Sequence, residues 1–361
     1  MSEFMKYGAR AWIRKPVALR WKEELPKVIA IFKKSHYERP FPMNKPISRR
    51  RLLAGAMAGA ATACLPRTAN AIDYNELPED ARKLTAYQVG RQVWVRWQNR
   101  IVTVYRAHPT QKYPYFYPLN GPVTGISLTE DSRLPYPHHR SLFLGCQPLN
   151  GGDYWGGGNL DAGQIVSKGL KIDQAEATSA DFSDACDWIR RDHPSPLKDQ
   201  RRFTVRILND QVHLLDCRFT LTAQEDITIK RAKHSFFAIK TANDIAPMGG
   251  GRLTNSEGGE GAKGTYGKPA RWCSYFGRRH GNPEVVEGIT IMNHPENFGG
   301  NCPWFTRDYG HLSPSPFNFL DKPWTLAQGE TLDLRYRVVL HAGAPADAGL
   351  DAVYQDWVRA S

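Results

Sequence analysis

Alternation of apolar and polar positions runs through most of the chain after residue 90 and predicts β-strands. Residues 92–97 and 101–105 flank Asn99-Arg100, and two such β-rich runs about a turn predict a hairpin. The run at 177–189 also fits a helix, but we favour a strand because it leads through a loop at 194–196 into another strand. Further strands are predicted at residues 202–208, 212–221, 227–230, 235–240, 270–276, 286–292 and 332–341.

Helical periodicity is clear only near the end of the chain. Four apolar residues there repeat at i, i+3, i+4 and i+7 and predict one amphipathic helix. They are Leu350, Val353, Tyr354 and Trp357. Residues 76–87 are expected to form a short helix or a lead-in to the first strand. Because strands do not alternate with helices, the sequence predicts an all-β fold: a large antiparallel β-sandwich with a short C-terminal helix.

A glycine-rich segment, residues 248–267, interrupts the strand pattern with eight glycines. A phosphate-binding loop of this kind ends at a helix N-terminus with a Lys and a Ser or Thr, whereas this one leads to Trp272 on a predicted strand. We therefore expect no nucleotide loop here. A mobile lid or rim over a site is one prediction, and a plain surface loop is the other.

The net charge of +12 is concentrated at the start of the chain. Residues 1–71 carry 15 Lys and Arg against 4 Asp and Glu, whereas the remaining residues carry 33 against 32. Proteins that bind the phosphate backbone present a basic domain, and the domain after residue 71 is nearly neutral. The sequence therefore argues against a nucleic-acid partner.

Residues 48–53 read Ser-Arg-Arg-Arg-Leu-Leu, a twin-arginine pattern that resembles a Tat export signal. A weakly apolar run follows, and Ala69-Asn70-Ala71 supplies the small residues that a signal peptidase reads. We expect residues 43–71 to be the signal peptide, the Tat translocase to be a partner during export, and the mature protein to be periplasmic or secreted. Lipidation at Cys64 is the alternative, although the usual leucine is missing before it.

The first 42 residues do not belong to an ordinary signal peptide. A start at Met43 gives a compact basic segment before the twin arginines, so residues 1–42 are expected to be an over-extended N-terminus. Residues 72–361 are expected to form a single β-sandwich domain. They contain no apolar run long enough to span a bilayer, so no membrane association is expected after cleavage.

Five cysteines follow residue 71, at wide and irregular spacing. This pattern is neither a disulfide framework nor a C-x-x-C metal site, and at most two bridges could form. We expect most of these thiols to be buried as small apolar side chains.

The first cluster of candidate site residues lies between Tyr113 and Trp155. Pro135 and Pro137 predict a stiff, extended arm. On such an arm His138 and Arg140 point one way and His139 the other, so one imidazole faces a cleft while its neighbour braces the scaffold. The aromatic and acidic candidates around this arm are Tyr115, Tyr117, Asp153 and Trp155.

A second cluster combines the same side-chain types near residues 293–310. His294 ends a predicted strand and is followed by Pro295. The other candidates of this cluster are Asn293, Trp304, Arg307, Asp308 and Tyr309. We expect both clusters to converge on one groove in which His138 and His294 act together.

The ordered motifs of these clusters resemble the PmoA-like family of secreted bacterial proteins, labelled "methane oxygenase PmoA". The motifs are Tyr115-Phe116-Tyr117-Pro118, His138-His139-Arg140, Gly152-Asp153-Tyr154-Trp155, Asn255-Ser256-Glu257-Gly258, Trp272, Asn293-His294-Pro295, Trp304 and Arg307-Asp308-Tyr309-Gly310. The resemblance implies an exported β-sandwich from bacteria that degrade polysaccharides. It does not imply a membrane oxygenase subunit, because the chain after residue 71 lacks spanning segments.

The residue types favour an exported enzyme that acts on a carbohydrate, as a lyase or a hydrolase. His138 or His294 would be the general acid or base, Arg140 and Arg307 would neutralise a uronate carboxylate, and Tyr309 would protonate a leaving oxygen. Asp153 and Asp308 are the candidate pair for hydrolysis. The candidate residues for binding a polysaccharide or oligosaccharide are Tyr115, Tyr117, His139, Trp155, Asn255, Glu257, Asn293 and Trp304.

Two alternatives remain open from the sequence. One is a non-catalytic glycan-binding β-sandwich that uses the same rings and arginines. The other is a metal-dependent oxygenase, as the family label implies, with His138, His294 and a carboxylate as ligands. No cofactor is predicted, and no H-x-H, H-E-x-x-H or C-x-x-C spacing supports a divalent metal.

Overall fold

Nineteen β-strands account for most of the computed structural model, which describes residues 83–134 and 136–360. The predictions for residues 1–42, the export signal at 43–71, Cys64 and Pro135 lie outside the described residues. The strands are β1 (Leu84–Val89), β2 (Gln92–Trp97), β3 (Arg100–Arg106), β4 (Tyr115–Leu119), β5 (Leu142–Gln147), β6 (Gln164–Ser167), β7 (Lys171–Ala175), β8 (Ser179–Arg190), β9 (His193–Asn209), β10 (Val212–Ala223), β11 (Ile227–Ile229), β12 (His234–Lys240), β13 (Arg252–Asn255), β14 (Trp272–Arg279), β15 (Asn282–Asn293), β16 (Trp304–Arg307), β17 (His311–Pro314), β18 (Trp324–Leu326) and β19 (Thr331–Ala342).

The strands form two large sheets and one small pair. The eight-stranded sheet has the order β1-β2-β3-β4-β5-β12-β17-β16. The nine-stranded sheet has the order β13-β14-β15-β19-β10-β9-β8-β6, with β7 also paired to β8. Strands β11 and β18 form the separate pair. The strand pairings are antiparallel, which confirms the predicted fold class.

The two large sheets pack face to face through aromatic rings. Phe237 of β12 stacks on Tyr336 of β19 with ring centroids 4.3 Å apart, and Tyr105 of β3 lies 5.0 Å from Phe203 of β9. Side chains alternate along a strand, so Lys240 of β12 points to the opposite, outer face of the eight-stranded sheet. Each sheet therefore has an inner face in the core and an outer face.

The predicted hairpin is confirmed as β2 and β3. The turn between them places Gln98 and Asn99 at φ of 48° and 59°, the left-handed values of a tight hairpin turn. The predicted loop at 194–196 is wrong, because β9 begins at His193 and pairs with β8. Pro194 and Pro196 are tolerated in β9 because the register of the β8–β9 pair shifts between Trp188 and Arg190, close to the turn. Fewer backbone N–H donors are needed there. The helix considered for 76–87 is also wrong where described, since Leu84–Val89 is a strand.

The C-terminal helix is confirmed as α2 (Leu350–Ala360). Its buried residues Leu350, Tyr354 and Trp357 pack on the outer face of the nine-stranded sheet, against Met292 and Val339 among others. The glycine-rich segment differs from the expected loop or lid. It contains β13, which pairs with β14, and the helical turn α1 (Gly261–Thr265). Short 3-10 helices lie at Asn243–Ile245, Pro247–Gly249 and Pro316–Phe319.

Two further expectations concern thiols and membrane spans. All five cysteines after residue 71 are buried and unpaired, as most were expected to be. Burial raises the pKa of each thiol, including that of Cys302 to about 12, so the thiols stay protonated. Among the helices of the described residues, neither length nor hydropathy suffices for a bilayer crossing.

Candidate functional site

The outer face of the eight-stranded sheet carries a concentration of cationic and imidazole side chains. In register, His311 of β17 pairs with Lys240 of β12 and with Arg307 of β16. Their neighbours Ile239 and Leu312 are fully buried in the core between the sheets. Because faces alternate, the three polar side chains share the outer face.

The connection between β4 and β5 covers this face with turns and is not the extended arm that we predicted. Tyr136 donates its backbone N–H to the carbonyl oxygen of Arg133, and His139 donates its own to that of Tyr136. These short-range bonds curl the segment over the sheet. His139 is thereby buried at 5% exposure, whereas His138 stays half-buried at the rim.

Four histidines meet here and form what we call the histidine cluster: His138, His139, His234 and His311. The ring centroids of His138 and His139 lie 4.4 Å apart, and those of His139 and His311 lie 4.5 Å apart. The Trp155 ring joins His234 to His311: its centroid lies 5.4 Å from that of His234 and 6.0 Å from that of His311. Residues from two strands, β12 and β17, and from the β4–β5 and β5–β6 connections thus build one continuous aromatic cluster.

Burial keeps the histidine cluster uncharged. It lowers the pKa of His139 to about 3 and that of His234 to about 4. The pKa of His311 is also well below its usual value, through burial and the adjacent His139. Burial lowers the pKa of His138 as well, and the Asp153 carboxylate opposes that shift. At neutral pH all four imidazoles are therefore uncharged, and each has one nitrogen that can accept a proton.

Three buried nitrogens, two in the histidine cluster and one in the adjacent Trp155, have no hydrogen-bond partner among the described residues. They are Nδ1 of His139, Nδ1 of His311 and Nε1 of Trp155. A buried polar atom without a partner costs roughly 1–3 kcal/mol, so such atoms are rare in structural cores. These three lie around neighbouring rings behind the half-buried His138.

A pocket of about 190 Å³ opens beside the cluster, where His138, Trp155 and Tyr113 form part of its wall. Two cations also line it. Lys112 donates a hydrogen bond to the Asn159 carbonyl oxygen, and Arg140 forms an ion pair with Asp131 at 2.9 Å. Burial lowers the pKa of Lys112. A neutral base, an indole and two cations therefore border the same space.

The carboxylates near this pocket are engaged by structural partners. Asp131 accepts bonds from Arg140 and from the Tyr115 hydroxyl, and the Arg140 guanidinium also lies over the Tyr115 ring. Glu130 pairs with the Lys240 ammonium at 3.2 Å. Asp153 Oδ1 accepts the backbone N–H groups of the two residues that follow Tyr154. The carboxylates near the pocket are therefore taken up by structural contacts and do not form a free acid–base pair.

Arg307 and Tyr309 of the second predicted cluster reach the same face. The Arg307 guanidinium lies 4.2 Å from the Phe305 ring centroid, and Phe305 packs on His311. Tyr309 stacks on His139 at 6.1 Å, and burial raises its pKa so that its hydroxyl keeps its proton. Asp308 instead accepts the backbone N–H of Ala262 and fixes the start of α1.

His294 does not join this site. It follows β15 of the nine-stranded sheet, is 1% exposed, and packs edge-to-face on Trp357 of α2 at 5.1 Å. Since α2 covers the outer face of the nine-stranded sheet, His294 and His138 lie on opposite outer faces of the sandwich. The predicted groove shared by His138 and His294 is therefore wrong.

Other predicted binding residues lie in structural positions. Trp304 is fully buried and donates its indole N–H to the Ala270 carbonyl oxygen. The side-chain oxygen of Asn255 accepts two backbone N–H groups in its own turn, and Glu257 pairs with Arg271 at 3.6 Å. The remaining two are Asn293, buried and bonded to Gly300, and Tyr117, half-buried beneath Arg106.

Sequence reasoning missed His234, His311, Lys112 and Lys240. A signal for His311 was present, because Tyr309-Gly310 predicts a turn that brings Arg307 and His311 opposite each other on one face. His234 precedes a predicted strand and had no such cue. Its place beside Trp155 depends on how β12 pairs with β5.

The arrangement of the histidines also bears on metal binding. No group of three or more His, Cys, Asp or Glu side chains in the described part of the chain is arranged to hold a metal ion. The ligand set predicted from the sequence also needed His138 beside His294, and the opposite faces of these residues rule out that set.

Comparisons with known proteins give a family and two distant likenesses. No curated protein matches the sequence. Among solved structures, a galactose 1-epimerase from Lactobacillus acidophilus NCFM is 10% identical with a TM-score of 0.31, covering 72% of this chain and 98% of the epimerase. A polysaccharide lyase is 11% identical with a TM-score of 0.26, covering 73% of this chain and 33% of the lyase. Both likenesses are too weak to carry an argument about activity.

The family corrects the resemblance inferred from the motifs. Residues 86–355 match the model of a family of unknown function, DUF6807, and no PmoA family matches. The assignment to a PmoA-like family was therefore wrong, and the oxygenase label does not apply. The chain belongs to the family of unknown function DUF6807.

Proposed function

We propose that this protein is a carbohydrate-active enzyme that cleaves an acidic polysaccharide by β-elimination at the histidine cluster. The observation that carries the proposal is the pocket in which the neutral imidazole of His138 adjoins the two cations Lys112 and Arg140. A uronic acid unit needs these groups: cations for its carboxylate and a base for the proton next to it.

The base in this proposal is His138. Burial lowers its pKa, so the imidazole accepts a proton at neutral pH. It takes the proton from the carbon that bears the carboxylate, and the electron pair left behind forms a carbon–carbon double bond. The bond from the neighbouring carbon to the glycosidic oxygen breaks in the same sequence.

The leaving oxygen then needs a proton. Tyr309 keeps its hydroxyl proton because burial raises its pKa, and it stacks on His139, whose ring packs on that of the pocket residue His138. Transfer from Tyr309 to the leaving oxygen balances the proton taken by His138. Arg140 and Lys112 stabilise the negative charge that builds up on the carboxylate during proton removal.

Trp155 supplies an apolar part of the pocket wall. Its ring lines the pocket, and its indole N–H is one of the nitrogens without a partner among the described residues. The Trp155 side chain is only 1% exposed, so this buried N–H is not offered as a contact for the sugar.

β-Elimination is favoured over hydrolysis by the state of the carboxylates. Hydrolysis would require Asp153 and Asp308 as an acid and base pair. Asp153 holds its own turn together, and Asp308 fixes the start of α1. Lys112 and Arg140 in the pocket wall suit an anionic sugar better than a neutral one.

Localisation forms part of the proposal. The twin-arginine pattern at residues 48–53 and the small residues before residue 72 support export to the periplasm or beyond, with residues 72–361 as the mature domain. A polysaccharide substrate fits that compartment, because such polymers are met outside the cytoplasm.

The test is an assay of the purified protein against polygalacturonate, alginate and a neutral galactan, read by the ultraviolet absorbance of unsaturated uronates. We expect product from an acidic polymer only, and loss of at least about a hundredfold in rate for His138→Ala, as general-base catalysis predicts. His193→Ala is the matched control, since His193 is exposed at the β8–β9 turn. Binding without product would instead indicate a glycan-binding module, and full activity of His138→Ala would refute the assigned base.

A further inference from the structure

The outer face of the nine-stranded sheet carries a row of like charges across three neighbouring strands. Arg218 of β10 lies directly opposite Arg202 of β9 on one side and Arg335 of β19 on the other. We call these three residues the arginine row. Neighbouring strands are about 4.8 Å apart, and like charges directly opposite each other destabilise a sheet.

The nearby carboxylates neutralise this row only in part. Arg335 pairs with Glu296 at 2.6 Å, whereas Arg218 lies 3.9 Å from Asp333. Arg202 forms no hydrogen bond or ion pair with the described residues. Asp216, which also lies on this face, accepts hydrogen bonds from Nε and Nη2 of a different arginine, Arg337, at 2.6 and 2.8 Å.

Arg206 adds a further exposed guanidinium to the same surface. It lies on β9 four residues beyond Arg202, so it shares its face, and it likewise has no ion pair with the described part of the chain. Arg202 and Arg206 therefore present guanidinium groups that no carboxylate of the described residues holds in an ion pair.

The arginine row lies in a groove rather than on a convex surface. A hollow of about 320 Å³ is bordered by the row, by Arg206 and by Trp357 of α2. A second hollow of about 500 Å³ adjoins it through Arg202 and Thr204, and its wall also contains Lys171 and the carboxylates of Asp173 and Asp181. Together the two hollows are lined by residues of five neighbouring strands, from β19 to β7, an extent that suits a polymer better than a small molecule.

We propose that this groove is a second binding site for an acidic polysaccharide, one that anchors the chain without cleaving it. The backbones of Arg202, Arg218 and Arg335 are spaced by the strand separation, a distance comparable to one sugar unit, and their long side chains can reach successive carboxylates of a polymer. A guanidinium matches a carboxylate in two-point geometry, which favours a polyuronate. The choice of a glycan as occupant rests on the proposed function.

A nucleic acid is the competing polyanion. Residues outside the first 71 carry 33 basic and 32 acidic side chains, so this domain lacks the overall positive potential that nucleic-acid binding requires. The groove and the histidine cluster lie on opposite outer faces. Binding at the groove would therefore hold the polymer near the enzyme and raise its local concentration at the pocket.

The experiment measures the binding of fluorescently labelled oligogalacturonate to the full chain by anisotropy. The test variant is Arg202→Gln/Arg206→Gln/Arg218→Gln, which changes exposed side chains only. The matched control is Arg96→Gln/Arg191→Gln/Arg252→Gln, which removes the same charge elsewhere on the surface. We expect the test variant to weaken binding about tenfold, the effect of losing a few exposed ion pairs, and the control to stay within about twofold of wild type.

Separate outcomes decide the groove and the catalytic proposal. Equal weakening by both triple variants, or by neither, would overturn the groove site. Binding of duplex DNA as tight as that of the oligogalacturonate at equal salt would overturn the glycan as its occupant. Loss of binding in the test variant with unchanged cleavage of a short oligosaccharide supports an anchoring groove. Groove binding in a protein that yields no unsaturated product would refute the enzyme but leave the groove.

Discussion

His139 and His311 pack ring against ring with their centroids 4.5 Å apart, although one lies in the β4–β5 connection and the other begins β17. Both are buried, and burial lowers the pKa of His139 to about 3 and that of His311 well below its usual value. Two imidazoles this close cannot both be charged in a low-dielectric environment. The pair therefore forms a neutral wall behind His138.

This pairing makes the fold sensitive to acid. A histidine whose pKa is lower in the folded than in the unfolded state contributes its full stability above about pH 6.5, and that stability is lost as the pH falls towards the folded value. In His311→Gln, which cannot be protonated, the fall in unfolding free energy between pH 6.5 and 4 should be shallower by up to about 1.4 kcal/mol per pH unit. Urea unfolding at several pH values measures this.

The exposed His193 supplies the control for that measurement. His193→Gln should keep the wild-type dependence on pH. If His311→Gln showed the same slope as wild type, then His311 would be protonated in the folded state, and the neutral wall would not exist.

The same lowered pKa values shape the expected activity profile. Because His138 acts as a base and burial lowers its pKa, kcat/KM on an acidic polysaccharide should stay level through neutral pH. It should fall only below the ordinary histidine value of about 6.5, where the imidazole gains a proton. A pH–rate profile whose acid limb has its midpoint above 6.5 would argue against His138 as the base.

His294 should matter for stability and not for turnover. It is buried against Trp357 beneath α2, on the face opposite the histidine cluster. His294→Ala should lower the unfolding free energy by about 1–3 kcal/mol, as expected when a buried polar side chain is removed, with kcat/KM unchanged. His138→Ala should show the reverse, so the two variants measured side by side separate a structural histidine from a catalytic one.

Arg279 is the centre of a buried ion-pair network that links β14 and β15 to the β4–β5 connection. Its guanidinium is fully buried and pairs with Asp244 at 3.0 Å and Glu287 at 3.1 Å, while Glu287 also accepts the backbone N–H of Val123. Arg279→Met leaves two buried carboxylates unpaired and should cost about 3–5 kcal/mol of unfolding free energy. Urea denaturation checks this.

The neighbouring Arg278 is the matched control, because its side chain is exposed and donates only to the Pro283 carbonyl oxygen. Arg278→Met should change the unfolding free energy by no more than about 0.5 kcal/mol. A similar, small effect of both substitutions would show that the network contributes little.

The sequence predicts the strands of this protein better than their partners. Alternation located β2, β3, β10, β12, β14, β15 and β19, and turn residues marked the first hairpin. Alternation shows which residues of a strand share a face, but not which sheet the strand joins. Strand β15 pairs with β19, whereas β16 and β17 join β12. Consequently His294 and Arg307, close in sequence, lie on different sheets.

The candidate site shows the same limit. His138, His139, Arg140 and Trp155 were found because they lie within one short segment. His234 and Lys240 reach them only through the pairing of β12 with β5 and β17, which is a long-range contact with no local signal. The curl of the β4–β5 connection depends on backbone hydrogen bonds over the sheet, so the prolines alone predicted the wrong shape.

A crystal structure of the protein with a uronic acid oligosaccharide tests the central claim most directly. The account predicts a sugar ring against Trp155, its carboxylate within hydrogen-bond distance of Arg140 or Lys112, and the carbon that bears the carboxylate facing the His138 imidazole. An oligosaccharide bound elsewhere, with the pocket beside His138 empty at saturating ligand, would contradict it.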